Sequence, residues 1–486
     1  MKKILLLSLL STFVFAGSSD LELRLQELEM QVKALQFNVS NNEQDLEEYI
    51  PLIEKVETKS ILDVLNFTPE LELRMDKMNY KVGEIGGNEN TLVYDGNTPT
   101  TEYRRKDFSK SFEPALTFKF NLNMDAKIDK KVSFHGRMLF VHSSQSNERL
   151  CILSSSVKSS ASTTGMEFDR AYVDYTPNIG SDYEFTFSFG ILPTTGGTPM
   201  NFAQDSVRKS MFPALVFDMN SYGLIGTQKL GDDTFVRLIL AKGYTLNPNM
   251  FPYQCNRENI DNANIAGLYF DTKLGFLGDS MLSFGVNYLG DFKAHPYLGP
   301  DVPTNNSNVL GDMITFGLGI DAPNIADSGL TLFAHTALSS PQGNGSSDNY
   351  QIETNSTTGL QINPNDPLFS IADYAEGEMV SETGYSFYIG TKYDINENFN
   401  IGAEYNYGSK YWFSATQGAE DMYNKLAIRG DVLEVYSTWG FYKSMNFKLG
   451  YMHTNENYTG SGWHFGEPVS KDGMQDVVYL SLKAEF

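Results

Sequence analysis

From residue 116 onward the chain repeatedly alternates apolar and polar positions. Leu116, Phe118, Phe120, Leu122, Met124, Ala126 and Ile128 are separated by Thr117, Lys119, Asn121, Asn123, Asp125 and Lys127. A period of two places the two sets on opposite faces of a β-strand. The alternation returns at Phe185, Phe187, Phe189 and Ile191, at Leu282, Phe284, Val286 and Tyr288, and at Ile314, Phe316, Leu318 and Ile320. It recurs around Tyr385, Phe387 and Ile389, and again around Met445, Phe447, Leu449 and Tyr451. A soluble β-sandwich also alternates, but it seldom offers so many long amphipathic strands with aromatic residues at the ends of the apolar face.

The connections between these strands carry a second pattern. Short polar turns fall at Asp129-Lys130, Asn178 to Asp182, Gly231-Asp232, Gly275 to Asp279, Pro323 to Asp327, Asn396-Glu397 and Tyr442-Lys443, and long Ser-, Asn-, Gly- and Thr-rich segments lie between them. Tight turns on one side of a membrane and large loops on the other produce this rhythm. The pattern predicts an all-β transmembrane barrel of about 16 antiparallel strands over residues 68–486.

The first residues read differently. Lys2 and Lys3 precede an apolar run from Ile4 to Phe15 that ends at Ala16. Positive charge, a run too short to span a bilayer and a small-residue exit are the marks of an export signal, which assigns residues 1–16 to a signal peptide. Leu21, Leu25, Leu28, Val32, Leu35, Val39, Asn42, Leu46, Tyr49, Ile53 and Val56 are then spaced by alternating fours and threes. That spacing is a heptad seam, so residues 17–67 are expected to form a periplasmic α-helical coiled coil and linker, interrupted at Pro51. Thirty helical residues would extend roughly 45 Å, far enough to approach the cell wall. A helix folded against or into its own barrel satisfies the same pattern.

Composition narrows the function classes. The formal net charge of -23 argues against nucleic-acid partners, which require clustered Lys and Arg. His135, His142, His295, His335, His453 and His464 are scattered, with no His-Glu-x-x-His pair, nucleophile motif or EF-hand spacing. No catalytic residue, metal or cofactor is therefore expected. The longest loop, from about Ser339 to Glu382, holds Asp348, Glu353, Asp366, Asp373, Glu376, Glu378 and Glu382 without Lys or Arg. It either draws cations to a pore mouth or is simply solvated.

The last strand places Val478, Leu480, Leu482, Ala484 and Phe486 on one face. A terminal Phe on such a strand resembles the signal read by the outer-membrane assembly machinery, which makes Phe486 the expected assembly signal and the outer membrane, with its lipid, the expected location. The segments Arg170-Ala-Tyr-Val-Asp-Tyr175 and Phe187-Ser-Phe-Gly-Ile-Leu-Pro193 are similar to those of a little-characterised family of porin-like proteins from epsilon-proteobacteria. The resemblance covers residues 68–486 at the level of pattern. It implies an aqueous channel for passive diffusion of small hydrophilic solutes or ions, assembled as a homotrimer; the heptads alone would suit a dimer about as well.

In general porins the third external loop narrows the lumen. Loop order gives that place to residues 193–220, where Gly196, Gly197 and Pro199 suit a tight inward bend. Order along the chain, by analogy with those porins, then makes Asp205, Arg208 and Lys209 the charges of a pore constriction. Strand parity places Arg137 and Arg170, with Arg74, Lys119, Asp174 and Arg237, on the opposing wall. An ordinary solvated loop is the plainer alternative. A different class of protein, an outer-membrane tether or adhesin with a plugged barrel, would share every feature except an open path.

The two cysteines, Cys151 and Cys255, fall in the second and fourth long loops by the same count. Both would face an oxidising exterior, where a disulfide closing roughly 100 residues stabilises by up to about 4 to 5 kcal/mol in the chain-entropy model. Mass spectrometry of unreduced peptides tests the link. Two free thiols are the alternative, since a bridge needs Cα atoms within about 7 Å; a cross-linked Cys151–Cys255 peptide would show the link, and alkylation of both thiols without prior reduction would exclude it.

Overall fold

The structure is a computed structural model that describes residues 65–82, 93–95, 98–100, 108–144, 165–243, 258–259, 263–275, 278–294, 309–346, 379–416, 421, 423–458, 461, 467–468 and 470–486, together with Glu29 and Met30. The export signal, nearly all of the heptad segment, Cys151, Cys255 and most of the acidic loop lie outside the described residues. The first wall strand begins at Leu65, a few residues before the expected boundary.

The wall strands are β1 (Leu65–Val82), β2 (Ala115–Lys127), β3 (Val132–Ser143), β4 (Gly165–Tyr175), β5 (Phe185–Ile191), β6 (Ser221–Lys229), β7 (Thr234–Gly243) and β8 (Asn264–Lys273). They continue with β9 (Met281–Ala294), β10 (Val309–Ala322), β11 (Leu330–Gly343), β12 (Gly384–Asn396), β13 (Phe399–Gly408), β14 (Gly430–Tyr442), β15 (Met445–Tyr458) and β16 (Ser470–Glu485). Phe108–Ser111 prolongs β2 along β1, and Glu258–Asn259 prolongs β8 along β9. The 18 strand segments of the sheet thus make 16 wall strands, as the turn count predicts.

Every strand pairs antiparallel with its neighbours in the chain, and the first pairs with the last. β1 runs beside β2 from Leu65↔Ala126 to Asp76↔Ala115, and beside β16 from Glu70↔Glu485 to Val82↔Gly473. Closure leaves no open edge, which matters because hydrocarbon offers no water to an unpaired N–H or C=O. The Phe486 N–H donates to the Pro69 carbonyl at 3.1 Å, fixing the C-terminus at the rim where β1 begins. All seven expected turns fall between consecutive strands, and the eight longer connections fall at the other rim.

The alternation now acquires a direction. Leu73, Leu224, Leu238, Leu268, Phe316, Ile389, Leu433, Leu449 and Leu480 stand exposed on the outer surface. Tyr222, Tyr288 and Tyr385 lie toward the long-loop rim, and Phe67, Tyr175, Tyr393 and Trp439 toward the short-turn rim. An aliphatic band between two aromatic girdles is the surface that a bilayer covers. The chain is an outer-membrane β-barrel.

Inward positions carry the opposite character. Thr117 and Asn121 on β2, Arg237 on β7, Asp271 on β8, Asn287 on β9, Glu404 on β13 and Glu434 on β14 are all buried inside the barrel. They are covered by loops that enter the lumen, so the interior is partly filled, and its wall mixes these polar positions with apolar ones on β6 to β12.

The outer band yields a direct test. Leu268 sits near the middle of β8 and is 45% exposed. Leu268→Arg is expected to cost about 2–4 kcal/mol of barrel stability in lipid, as for a charge at the bilayer midplane. The check is the urea midpoint of folding into vesicles, read by the gel mobility of the unboiled barrel. An unchanged midpoint would mean that this face does not meet lipid.

Candidate functional site

The third external loop, residues 192–220, folds into the barrel. Its sequence explains why: Phe212-Pro-Ala-Leu-Val-Phe217 is an apolar run that a solvated loop would leave in water. Phe212, Leu215, Val216, Phe217 and Met219 pack in one core with Ile225, Ile239, Ile265, Tyr269, Leu289, Met313, Phe333 and Tyr388 on the inner faces of β6 to β12. The Phe212 ring meets Tyr269 edge to face at 4.5 Å, and Phe202 stacks on Phe333 at 5.7 Å. The fold of the loop also depends on Gly197, where a Cβ would stand 1.8 Å from the Phe212 carbonyl oxygen. Gly196 beside it has φ +78°, which an L side chain rarely adopts.

The polar half of the same loop reaches the wall on every side. Asp205 accepts from Lys392 Nζ of β12 at 2.5 Å and from Asn400 Nδ2 of β13 at 3.2 Å. Arg208 lies 3.4 Å from Asp271 of β8, which also receives Arg237 Nη1 of β7 at 2.5 Å. Lys209 Nζ reaches Glu70 of β1 at 3.3 Å. Arg170 of β4 donates to the carbonyls of Lys209 and Thr195 at 3.0 and 2.6 Å. Thr198 donates to Asp321 of β10 at 2.5 Å, whose other oxygen meets His335 Nε2 at 2.9 Å. Lys448 Nζ of β15 donates to the Ala203 carbonyl at 2.6 Å.

Asp205, Arg208, Lys209 and Arg170 are therefore brought together across one stretch of loop. Arg137 stands opposite Arg170 in register, but its guanidinium is held by the Asp169 carboxylate, with Nε 2.9 Å from Oδ1. A bulge between Arg137 and Met138 turns both Asp169 and Arg170 away from the lipid face. Of the other wall residues, Arg74 lies 2.8 Å from Asp76 and 4.0 Å above the Tyr479 ring, and Asp174 accepts from Ser188 at 2.5 Å.

Sequence reasoning missed a second inserted loop, the seventh, residues 409–429. Trp412, Phe413, Leu426, Ala427 and Ile428 are buried there, and Arg429 is fully buried with its Nε donating to the Trp412 carbonyl at 3.0 Å. Trp412 Nε1 donates to the Leu426 carbonyl at 2.8 Å, and the Asp421 carboxylate accepts from the Tyr423 and Lys425 backbone N–H groups at 3.1 and 2.7 Å. Burial raises the Asp421 carboxyl above its ordinary value, and Lys425 partly opposes the rise. Lys425 points to the wall and lies 2.5 Å from Glu404 and 2.6 Å from Glu434. The two inserted loops touch, since the Asp218 N–H donates to the Ala415 carbonyl at 2.8 Å. The signal that would have found the seventh loop is its apolar content, Trp412-Phe413 and Leu426-Ala-Ile428, in a connection otherwise placed among polar ones.

The family model described as "Protein of unknown function (DUF3373)" matches residues 109–484. The chain belongs to that family. The match runs from the start of β2 to the end of β16, so it contains both inserted loops. No curated protein matches. Among solved structures the chain is similar to OprB of Pseudomonas putida, at 12% identity over 89% of this chain and 96% of that one, with a TM-score of 0.48. It is also similar to the outer membrane channel DcaP of Acinetobacter baumannii, at 13% identity over 87% and 98%, with a TM-score of 0.43. A third is OmpT, an outer membrane protein of Vibrio cholerae, at 11% identity over 87% and 97%, with a TM-score of 0.41. Identities and TM-scores this low leave function to be argued from the chain's own residues.

Proposed function

We propose that this barrel is a porin-like channel of narrow bore, through which small hydrophilic solutes or ions cross the outer membrane by passive diffusion beside the third loop. One observation carries the reading: Asp205, Arg208 and Lys209 lie consecutively across the lumen, each against a wall group of opposite charge, in Lys392, Asp271 and Glu70. Charges of both signs in a low-dielectric throat act strongly on a passing ion, and they set a field across the path. The three loop residues keep some exposure, as do Lys392 and Glu70, with side chains of Lys209 and Glu70 about equally accessible at 13% and 14%, whereas Asp271 is buried. Among the described residues no constellation supports an enzymatic role.

A second reading, a plugged barrel acting as a tether or adhesin, draws on the depth of the filling. Arg429 and the Lys425 pair are almost fully buried in the lumen. Conductance separates the two. Purified protein in a planar bilayer is expected to give stepwise currents, and Asp205→Asn/Arg208→Gln/Lys209→Gln is expected to change conductance and ion preference. Unchanged preference in the triple variant would remove these residues from the constriction, and silence of the native protein would favour the plug.

The homotrimer is proposed on the resemblance to porins of this size, with the heptads of residues 21–56 as the expected contact between copies; by themselves the heptads would suit a dimer about as well. Mass photometry of the detergent-solubilised protein is expected to count three copies. Deleting residues 21–50 should shift the population toward single barrels that remain folded. Loss of barrel folding in that deletion would contradict two separable modules.

A further inference from the structure

The ion cluster under the seventh loop has features that stability does not explain. A buried Glu–Lys–Glu arrangement is a poor way to hold a fold together, because desolvating three charges costs more than packing apolar side chains of the same volume. Yet the wall presents Glu404 and Glu434 directly opposite each other in register on β13 and β14. Both are already supported from the wall: Tyr388 Oη donates to Glu404 Oε2 at 2.6 Å, and Tyr479 Oη donates to Glu434 Oε1 at 2.5 Å. The carboxylates are thus positioned by neighbouring strands before any loop arrives. Lys425 enters from the loop, with its Nζ between the two carboxylates and 5.4 Å from the centre of the Tyr388 ring. Two anionic acceptors and an aromatic face around one N⁺ are the elements by which proteins recognise ammonium groups.

The pocket has more polar capacity than Lys425 uses. Glu404 Oε1 and Tyr436 Oη are buried without a hydrogen-bond partner, Glu404 being 2% and Tyr436 5% exposed. Tyr436 lies beside the pair: its ring crosses Gly402, where a Cβ would stand 2.3 Å from its Cζ. Lys448, with Nζ 4.2 Å over the Tyr436 ring, is engaged by the Ala203 carbonyl of the third loop. Unused acceptors at such depth carry a desolvation penalty that a better-fitting occupant would relieve.

We propose that Glu404 and Glu434, with Tyr388, Tyr436 and Tyr479, form a lumenal binding site for primary alkylammonium solutes, and that Lys425 of the seventh loop occupies it as a built-in competitor. The proposal rests on the channel reading only for the route by which a solute reaches the lumen. Lys425 is itself an alkylammonium on a tether, held by the Asp421 contact to its N–H and by Asn406 Nδ2 donating to its carbonyl at 2.6 Å. A diffusing amine takes the site by displacing that side chain, and the loop moves with it.

The test is chemical rescue. Lys425→Ala leaves the two carboxylates facing a space shaped for one propylammonium group. Purified barrel in neutral detergent is heated with n-propylammonium chloride or with sodium chloride at equal ionic strength, and unfolding is followed by unboiled gel mobility. The variant is expected to melt several degrees below the native protein in sodium chloride, and to regain most of that loss in the amine. The native protein, with its site filled, is expected to gain much less. Glu404→Gln/Glu434→Gln/Lys425→Ala should show no gain, so an equal gain there, or none in the single variant, overturns the proposal. If Lys425→Ala does not fold, Lys425→Ala/Glu434→Gln keeps one carboxylate with a lighter burden of buried charge, and absence of amine stabilisation in it overturns the proposal likewise. Binding is read without current, so a barrel that binds the amine and never conducts loses the channel reading and keeps this site.

Discussion

A polypeptide that crosses hydrocarbon must pair every backbone N–H and C=O within itself, and in this chain that demand is met by the seam between β1 and β16. Without it the remaining strands would form a sheet with two open edges, each exposing a row of polar groups to lipid. With it, each side chain faces either lipid or the lumen. The outer set is then selected for contact with hydrocarbon, as at Leu224, Leu268 and Leu449, and the inner set is released to be polar. The charged wall that receives the third loop exists because closure excludes lipid from it.

The lumen is a second solvent with its own rules. A group such as Arg137 can be buried there only because Asp169 is beside it, and Asp271 is shared between Arg208 from the loop and Arg237 from the wall. The apolar half of the third loop rests against β6 to β12, whereas its charged half reaches β1, β8, β12 and β13. Hydrophobic burial therefore sets where the loop lies, and ion pairs set how it is aligned. This division of labour follows from range and direction: apolar contact is non-directional, while a carboxylate and an ammonium must meet within a few ångströms.

Much of this is legible in the sequence. Alternation such as Phe316, Leu318 and Ile320 against Thr315, Gly317 and Gly319 is a local property, so strand faces, turn positions and strand number could be read from short windows. The place of the third loop followed from counting, and its charged residues from inspection. Partners were not legible. Lys209 meets Glu70 and Asp205 meets Lys392 through the curvature of the barrel, which no local window contains. The bulge at Asp169 and Arg170 breaks strict parity, so the Arg137 contact could not be inferred by counting in twos. The seventh loop is concealed for another reason: its polar residues resemble those of the other long connections, and only a few apolar ones draw residues 412–413 and 426–428 inward.

The contact between the backbone of Asp218 and that of Ala415 joins the third loop to the seventh, with a parallel bridge from Asp218 to Thr416. Asp218 also accepts from the Gly196 N–H at 3.0 Å, at the bend where the third loop enters the barrel. One carboxylate residue thus fastens the entry of one insertion to the middle of another. The pair forms a linkage in the mechanical sense. Withdrawal of the seventh loop must either break the Asp218 contact or pull on the hinge of the third, so the two are not independent parts. The two insertions are joined through Asp218, so a displacement of either piece is felt by the other.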